Sequence, residues 1–120
     1  PARNEGLVLP RLIASIAAAR YPSDSLSVIV VNDHSSDGTK EVLDKLCAEH
    51  TWLRAVHRHE LTDSQGGGKS GSMNAGYAFI PEKSTIVGYL DADAVVSPDV
   101  FVQIAQMFQE QSDVAAIQAP

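Results

Sequence analysis

The spacing of apolar residues alternates along the chain between the period of a helix and that of a strand. Apolar residues recur at helical spacing up to Tyr21-Pro22, which predicts a helix over residues 5–20. Residues 27–31 (SVIVV) form a short β-branched run bounded by polar residues, a pattern typical of a buried parallel strand. A polar turn cluster at residues 32–39 leads into a second helical pattern. This part of the chain therefore predicts a helix followed by a strand, a loop and a helix.

The same alternation continues to the end of the chain. Strands are predicted near residues 53–56 and, more clearly, at residues 85–90 (TIVGYL), and helices at residues 72–79 and 99–108. An apolar run at residues 114–117 ends the pattern. Because strands and helices alternate with connections long enough for crossovers, we predict an α/β fold in three layers (α/β/α), with helices on both faces of a mostly parallel sheet.

Composition and charge narrow the function classes. The chain has 120 residues, 44% hydrophobic and 20% charged, which fits one globular domain. A net charge of −6 argues against a nucleic-acid partner, because such domains usually carry a basic face. The only cysteine, Cys47, excludes an intrachain disulfide, and no apolar run approaches the ~20 residues that span a bilayer. The chain begins at Pro1, and we expect it to be a piece of a longer protein.

Three polar segments stand where an α/β sheet binds its ligands. Ligands lie beyond the carboxyl ends of parallel strands, which directs attention to residues 1–5, 32–34 and 91–93. Asp33 ends a predicted strand, where its carboxylate can accept a hydrogen bond from a nucleobase N–H or a ribose hydroxyl. The serines that follow it are better explained as turn formers and helix caps.

Two aspartates follow the predicted strand at residues 85–90. Asp91 and Asp93 are two residues apart, so an extended chain points both carboxylates to the same side. Carboxylates this close repel each other unless a cation lies between them, and Mg²⁺ or Mn²⁺ shared with substrate phosphates takes such oxygen ligands. The alternative is a solvated loop in which one carboxylate caps the next helix.

A glycine-rich segment at residues 66–71 (GGGKSG) partly fits two phosphate-binding motifs. The Walker A motif fails because Asp63 stands where a glycine is required. The dinucleotide motif GxGxxG is matched in letters, but residues 59–65 separate it from the preceding strand. What remains is a flexible loop that presents Lys69 and backbone N–H groups to an anion, or a surface loop with an incidental lysine.

Two further groups of polar residues have simpler explanations. His57 and His59 share one face of a strand, but a zinc site needs three or four ligands, so we expect residues 57–59 to be an exposed strand end. Asn4 and Glu5 fit the start of a helix, with Asn4 as the cap and Glu5 near the positive end of the helix.

Taken in order, five segments of the chain resemble the nucleotide-sugar-binding half of the family 2 inverting glycosyltransferases with the GT-A fold. They are PARNEG at 1–6, VVNDHSSDGT at 30–39, GGGKSGSMNAGY at 66–77, LDADAVVSPD at 90–99 and AAIQAP at 115–120. The membrane-embedded polysaccharide synthases of that family look most similar. The resemblance covers essentially the whole chain. It implies that the chain is a single unit, the N-terminal donor-binding part of an incomplete GT-A catalytic domain.

The resemblance implies binding roles for residues that match the family motifs. Ala2 and Glu5 would line the nucleoside pocket, and Asp33 would recognise the base. Lys69 would approach the diphosphate. Asp91 would contact the ribose or the sugar of the donor.

The resemblance also implies a metal ligand and a missing catalytic group. Asp93 would ligate Mg²⁺ or Mn²⁺. The family commonly has two adjacent aspartates where this chain has Asn32-Asp33, and the role of Asn32 is left open because an amide keeps the hydrogen bonds but loses the charge. The catalytic-base aspartate and the acceptor motif of the family normally follow the region that matches Pro120. We therefore expect no catalytic residue in these 120 residues, and no sugar transfer by them alone.

Together these implications predict a metal-dependent glycosyltransferase of polysaccharide or cell-envelope glycan synthesis. It would transfer a sugar from a nucleotide-diphosphate sugar, with a UDP-sugar favoured, to a hydroxyl of a glycan or lipid-linked acceptor with inversion. The resemblance implies a cytoplasmic domain of an inner- or plasma-membrane protein, with membrane contact only through regions outside this chain. The alternatives are a sugar-nucleotide nucleotidyltransferase and a non-catalytic nucleotide-binding domain.

Overall fold

The computed structural model describes residues 1–58, 68–111, 113 and 115–117. In chain order the elements are α1 (Leu9–Ala17), a 3-10 turn (Ser23–Ser25), β1 (Val28–Asp33), α2 (Thr39–Glu49), β2 (Leu53–Arg58), α3 (Gly68–Tyr77) and α4 (Val100–Glu110). The four predicted helices and the first two predicted strands are present, with ends shifted by a few residues. The last apolar run, 114–117, lies partly outside the described residues. None of the described helices is long and apolar enough to cross a membrane.

The sheet is parallel, as predicted. β1 and β2 pair from Val28 opposite Leu53 to Asp33 opposite Arg58, so their carboxyl ends lie side by side. On the other edge of β1, Ala2 forms a single parallel bridge with Asn32. The segment before α1 is therefore fixed at the same end of the sheet as the two strand ends.

Residues 85–90, predicted as a strand, are not one in the structure. Ile86, Val87, Tyr89 and Leu90 are between 39% and 58% exposed. An apolar β-branched run becomes a strand only where a neighbouring backbone accepts its hydrogen bonds. The sheet found among the described residues contains only β1 and β2, and this segment pairs with neither of them. The prediction was wrong because the side-chain pattern carries no information about an available partner.

Helices cover both faces of the sheet. Val30, on one face of β1, belongs to a hydrophobic core that also contains residues of α1, α2 and β2. The other buried members of this core include Leu9, Leu12, Ile13, Ile16, Leu43 and Leu53. On the opposite face, Gly76 of α3 lies so close to β1 that an added Cβ would be 3.0 Å from the Cγ2 atom of Val31. Successive strand residues point to opposite faces, so Val30 meets α1 and α2 while Val31 meets α3. The predicted three layers are confirmed.

Candidate functional site

All six residues to which the family resemblance gives a binding role line one cleft at the carboxyl end of the sheet. The cleft has a volume of about 380 Å³, and the six are Ala2, Glu5, Asp33, Lys69, Asp91 and Asp93. Its walls come from the segment before α1, the end of β1, the start of α3 and the segment at residues 91–93. Small-molecule sites commonly have volumes of about 300 to 1,000 Å³. The strand-end rule therefore located a cleft large enough for a small ligand.

Backbone hydrogen bonds fix the wall that precedes α1. The Ala2 N–H donates to the Val31 carbonyl at 2.8 Å, and the Ala2 carbonyl accepts from the Asp33 N–H at 2.8 Å. The Glu5 N–H donates to the hydroxyl oxygen of Thr39, the first residue of α2, at 3.1 Å. Ala2 and Glu5 are thus held beside Asp33 by the sheet and by α2.

Asn4 connects this wall to the loop after β1. Its N–H donates to the Ser35 hydroxyl oxygen at 2.9 Å, and its side-chain oxygen accepts from the Ser36 N–H at 2.9 Å. Its φ of 57° lies in the left-handed region, which Asn adopts more readily than most residues. The predicted helix cap at Asn4 was wrong, since α1 starts at Leu9 and Asn4 bridges two loops instead.

Asn32 does not contribute its side chain to the cleft. Its Nδ2 atom lies 3.1 Å from Nδ1 of His57, and its Oδ1 atom accepts a hydrogen bond from the Ser35 hydroxyl. The Nε2 atom of His57 lies 3.1 Å from an Asp44 carboxylate oxygen on α2. Neighbouring strand residues face opposite sides, so Asn32 joins the polar network beside α2 while Asp33 faces α3.

The Asp33 carboxylate is buried and ionised. Its side chain is 9% exposed, and its Oδ1 atom lies 2.6 Å from Nδ1 of His34 and 3.2 Å from Nη1 of Arg58. Its Oδ2 atom accepts a hydrogen bond from the Ser72 hydroxyl at 2.8 Å. Burial raises the pKa of Asp33, but the hydrogen bonds from Ser72 and His34 and the charge of Arg58 together bring it below its usual value of 3.8. Near neutral pH it is therefore a charged acceptor.

Sequence reasoning missed two residues that contact Asp33. Arg58 was expected in an exposed strand end, but its side chain is only 4% exposed because parallel pairing places it directly beside Asp33. Ser72 lies in α3 and is buried. The strand-end rule, applied to β2 as well as β1, would have found Arg58. His59, the other half of the rejected histidine pair, lies outside the described residues.

A cation and two further carboxylates also line the cleft. Lys69 was expected in a flexible loop, but it lies in the first turn of α3. Its Nζ atom is 2.6 Å from an Asp91 carboxylate oxygen, and the two side chains are 64% and 67% exposed. The hydrogen bond and the charge of Lys69 lower the pKa of Asp91. Asp93 lines the same cleft and is exposed.

Asp91 and Asp93 can hold a divalent ion only if a bound ligand supplies further oxygen atoms to coordinate it. Among the described residues, no three His, Cys, Asp or Glu side chains are grouped to hold a metal ion. Asp91 and Asp93 offer two carboxylates, and Mg²⁺ commonly takes one or two protein carboxylates and completes its coordination with water and substrate phosphates. The residues present are therefore compatible with Mg²⁺ or Mn²⁺ if the ligand brings phosphate oxygens.

Comparison with known proteins identifies the family. The model of the family described as "Glycosyl transferase family 2" matches residues 1–120. The chain belongs to glycosyl transferase family 2. Beta-monoglucosyldiacylglycerol synthase of Trichormus variabilis is 31% identical over 118 residues, 98% of this chain and 24% of the relative. The synthase of the same name from Synechocystis sp. is 34% identical over 107 residues, 89% of this chain and 21% of the relative. The chain thus spans about a quarter of these family 2 relatives.

Solved structures of S. aureus TarS share the fold of this family 2 chain. TarS 1-349 in complex with UDP superposes with a TM-score of 0.75 at 22% identity, covering 100% of this chain and 36% of that one. The complex with UDP-GlcNAc gives a TM-score of 0.73 at 21% identity and covers 35% of that chain. The predicted GT-A fold is confirmed as a partial domain, whereas the extent of the domain beyond this chain stays a prediction.

Proposed function

We propose that this chain binds the nucleotide-diphosphate sugar donor of a family 2 glycosyltransferase, and that the donor is a UDP-sugar. The observation that carries the proposal is one cleft that is lined by a buried charged acceptor, Asp33, at the end of β1 and by an exposed cation, Lys69, at the start of α3. A nucleotide sugar has N–H donors on its base and anionic oxygens on its diphosphate, so these two groups match its two ends. The UDP and UDP-GlcNAc complexes of TarS, which shares this fold, favour uridine.

At the end of β1, Asp33 recognises the base. An ionised carboxylate can only accept hydrogen bonds, so Asp33 pairs with a base N–H. Ala2 brings no side chain beyond a methyl group, and Glu5 lies on the same wall; together they line the nucleoside pocket. The sheet and α2 hold both residues in place before the ligand arrives, so little ordering is needed on binding.

At the start of α3, Lys69 and the first N–H groups of the helix bind the diphosphate. Lys69 brings a full positive charge, and the first N–H groups of a helix carry partial positive charge. Negative charge grows on the diphosphate as the glycosidic bond breaks, so a cation already in place stabilises the departing group. Asp91 contacts the ribose or the sugar in the same cleft.

The proposal includes dependence on Mg²⁺ or Mn²⁺. Asp93 would hold the ion, with Asp91 beside it. When bound, such an ion supplies further positive charge to the leaving diphosphate. Asp91 and Asp93 both line the cleft, and among the described residues Lys69 forms an ion pair with Asp91 and none with Asp93.

In the whole protein, an acceptor hydroxyl would attack the anomeric carbon as the bond to the diphosphate breaks, which inverts that carbon. The hydroxyl proton would pass to an aspartate outside this chain. One relative is named Beta-monoglucosyldiacylglycerol synthase and another, from Arabidopsis thaliana, Probable glucomannan 4-beta-mannosyltransferase 1, which supports a lipid-linked or glycan acceptor. A cytoplasmic domain with membrane contact only through other regions of the protein is part of the same proposal.

Titration calorimetry of the full-length protein with UDP tests the proposal. We expect UDP to bind in the presence of Mn²⁺, and Asp93→Ala to remove the Mn²⁺-dependent part of the affinity. Asp24→Ala, an exposed aspartate outside the cleft, should have no effect. The absence of heat with UDP, with or without Mn²⁺, would overturn the proposal. Release of pyrophosphate instead of UDP during turnover would identify a nucleotidyltransferase.

A further inference from the structure

Three side chains surround the carboxylate of Asp33. Nη1 of Arg58 lies 3.2 Å from Oδ1 of Asp33 and 3.4 Å from the hydroxyl oxygen of Ser72. The Ser72 hydroxyl lies 2.8 Å from Oδ2 of Asp33. Arg58, Ser72 and Asp33 thus form a closed triangle between β1, β2 and α3, and His34 adds a contact from the loop after β1.

The direction of each hydrogen bond follows from the donors available. The guanidinium of Arg58 can only donate, so Ser72 accepts from it and is left with its single proton to donate. That proton can reach Oδ2 of Asp33 at 2.8 Å or the Gly68 carbonyl at 3.1 Å. A charged acceptor at the shorter distance gives the stronger bond, so Ser72 donates to Asp33.

These bonds leave one accepting position on Asp33. A carboxylate offers about four lone-pair positions, two on each oxygen. Nδ1 of His34 and Nη1 of Arg58 both lie against Oδ1, at 2.6 and 3.2 Å, whereas Oδ2 accepts only the hydrogen bond from Ser72 among the contacts of the described residues. Because Asp33 lines the cleft, the remaining position of Oδ2 is available to one ligand donor.

We propose that Arg58 and Ser72 are positioning residues that set the nucleobase selectivity of this site by orienting Asp33; this rests on the proposed function. Uracil carries an N–H at ring position 3, whereas cytosine has an unprotonated acceptor nitrogen there. One fixed acceptor therefore pairs with uracil and faces a lone pair in cytosine. A carboxylate free to rotate would lose this discrimination, since it could turn toward the amino group of cytosine.

The ratio of UDP affinity to CDP affinity distinguishes a positioning role of Arg58 and Ser72 from a contribution to folding alone. A buried carboxylate that loses a partner is costly, so replacing either residue lowers stability whatever its role. The ratio of UDP affinity to CDP affinity is independent of the folded fraction, because unfolded molecules bind neither ligand. A purely structural role therefore leaves the ratio unchanged.

The test measures UDP and CDP dissociation constants by calorimetry for the full-length protein and its variants. Ser72→Ala removes the hydroxyl with little change of volume, and Arg58→Lys keeps the charge without the planar fork. Ser23→Ala, at an exposed serine outside the cleft, and Arg54→Gln on β2 are the matched controls. Asp33→Ala gives the ratio expected when the carboxylate is absent.

We expect the wild-type protein to prefer UDP over CDP by at least about 10-fold, the difference that one charge-assisted hydrogen bond makes. Ser72→Ala and Arg58→Lys should bring this ratio toward that of Asp33→Ala and raise the KM for the donor more than they lower kcat. The controls should keep the wild-type ratio. Wild-type selectivity retained in both variants would overturn the inference and leave the proposed function intact, whereas a wild-type protein that does not bind UDP would overturn both.

Discussion

Replacement of Lys69 separates a binding role from a structural one. Among the described residues its ammonium group pairs with Asp91, and both side chains are about two-thirds exposed. Water and salt screen such a pair, so its loss should barely change the free energy of unfolding. A contact to a bound diphosphate is different, because the ligand displaces water and brings its own negative charge. A hydrogen bond to a charged group contributes about 1.5 to 3 kcal/mol, a factor of roughly 10 to 150 in affinity.

We therefore expect Lys69→Ala to weaken UDP binding by roughly 10- to 150-fold while the melting temperature stays at the wild-type value. Calorimetry gives the affinity and differential scanning fluorimetry the melting temperature. Lys83→Ala, which removes another exposed lysine outside the cleft, should change neither. The loss should also shrink at high salt, where the wild-type affinity itself falls. UDP affinity within twofold of wild type in Lys69→Ala would refute the placement of the diphosphate at α3.

Three other predictions concern stability and the divalent ion. Leu43 is fully buried between α1, α2 and the sheet, so Leu43→Ala should lower the free energy of unfolding by about 2 to 5 kcal/mol in urea denaturation, and a loss under 1 kcal/mol would contradict this core. The pKa of Asp33 is below its usual 3.8 in the folded state, so its contribution to stability is present above that pH and is lost as the pH falls through the folded-state pKa. Ser72→Ala should therefore move acid unfolding, followed by circular dichroism, to higher pH; an unchanged or lower midpoint would contradict the hydrogen bond. Chelation of divalent ions should abolish sugar transfer by the full-length protein, and added Mn²⁺ should restore it in wild type but not in Asp93→Ala; transfer that persists in chelator would contradict metal dependence.

The fold was predictable where side-chain pattern and pairing agree. The β-branched run that became β1 has a partner strand on one edge and a bridge to Ala2 on the other. Residues 85–90 are also an apolar run with β-branched residues but have no partner in the described sheet, so the pattern predicted a strand that is not there. Local sequence reports how a segment would pack, whereas a strand also requires a neighbouring backbone.

The cleft was predictable from strand ends, but the contacts inside it were not. The rule placed Asp33 at the cleft because β1 is a parallel strand whose carboxyl end borders that cleft. Arg58 was missed because its burial depends on the register between β1 and β2, which no single segment encodes. Asn32 and Asp33 are adjacent in sequence, yet the strand period turns them to opposite faces, and only one reaches the cleft.

A crystal structure of the protein with UDP and Mn²⁺ would show directly whether this cleft holds the donor. We expect the uracil N–H within hydrogen-bond distance of the Asp33 carboxylate, the diphosphate beside Lys69 in place of its contact with Asp91, and the ion on Asp93. UDP bound outside this cleft, or bound in it with the base turned away from Asp33, would contradict the account.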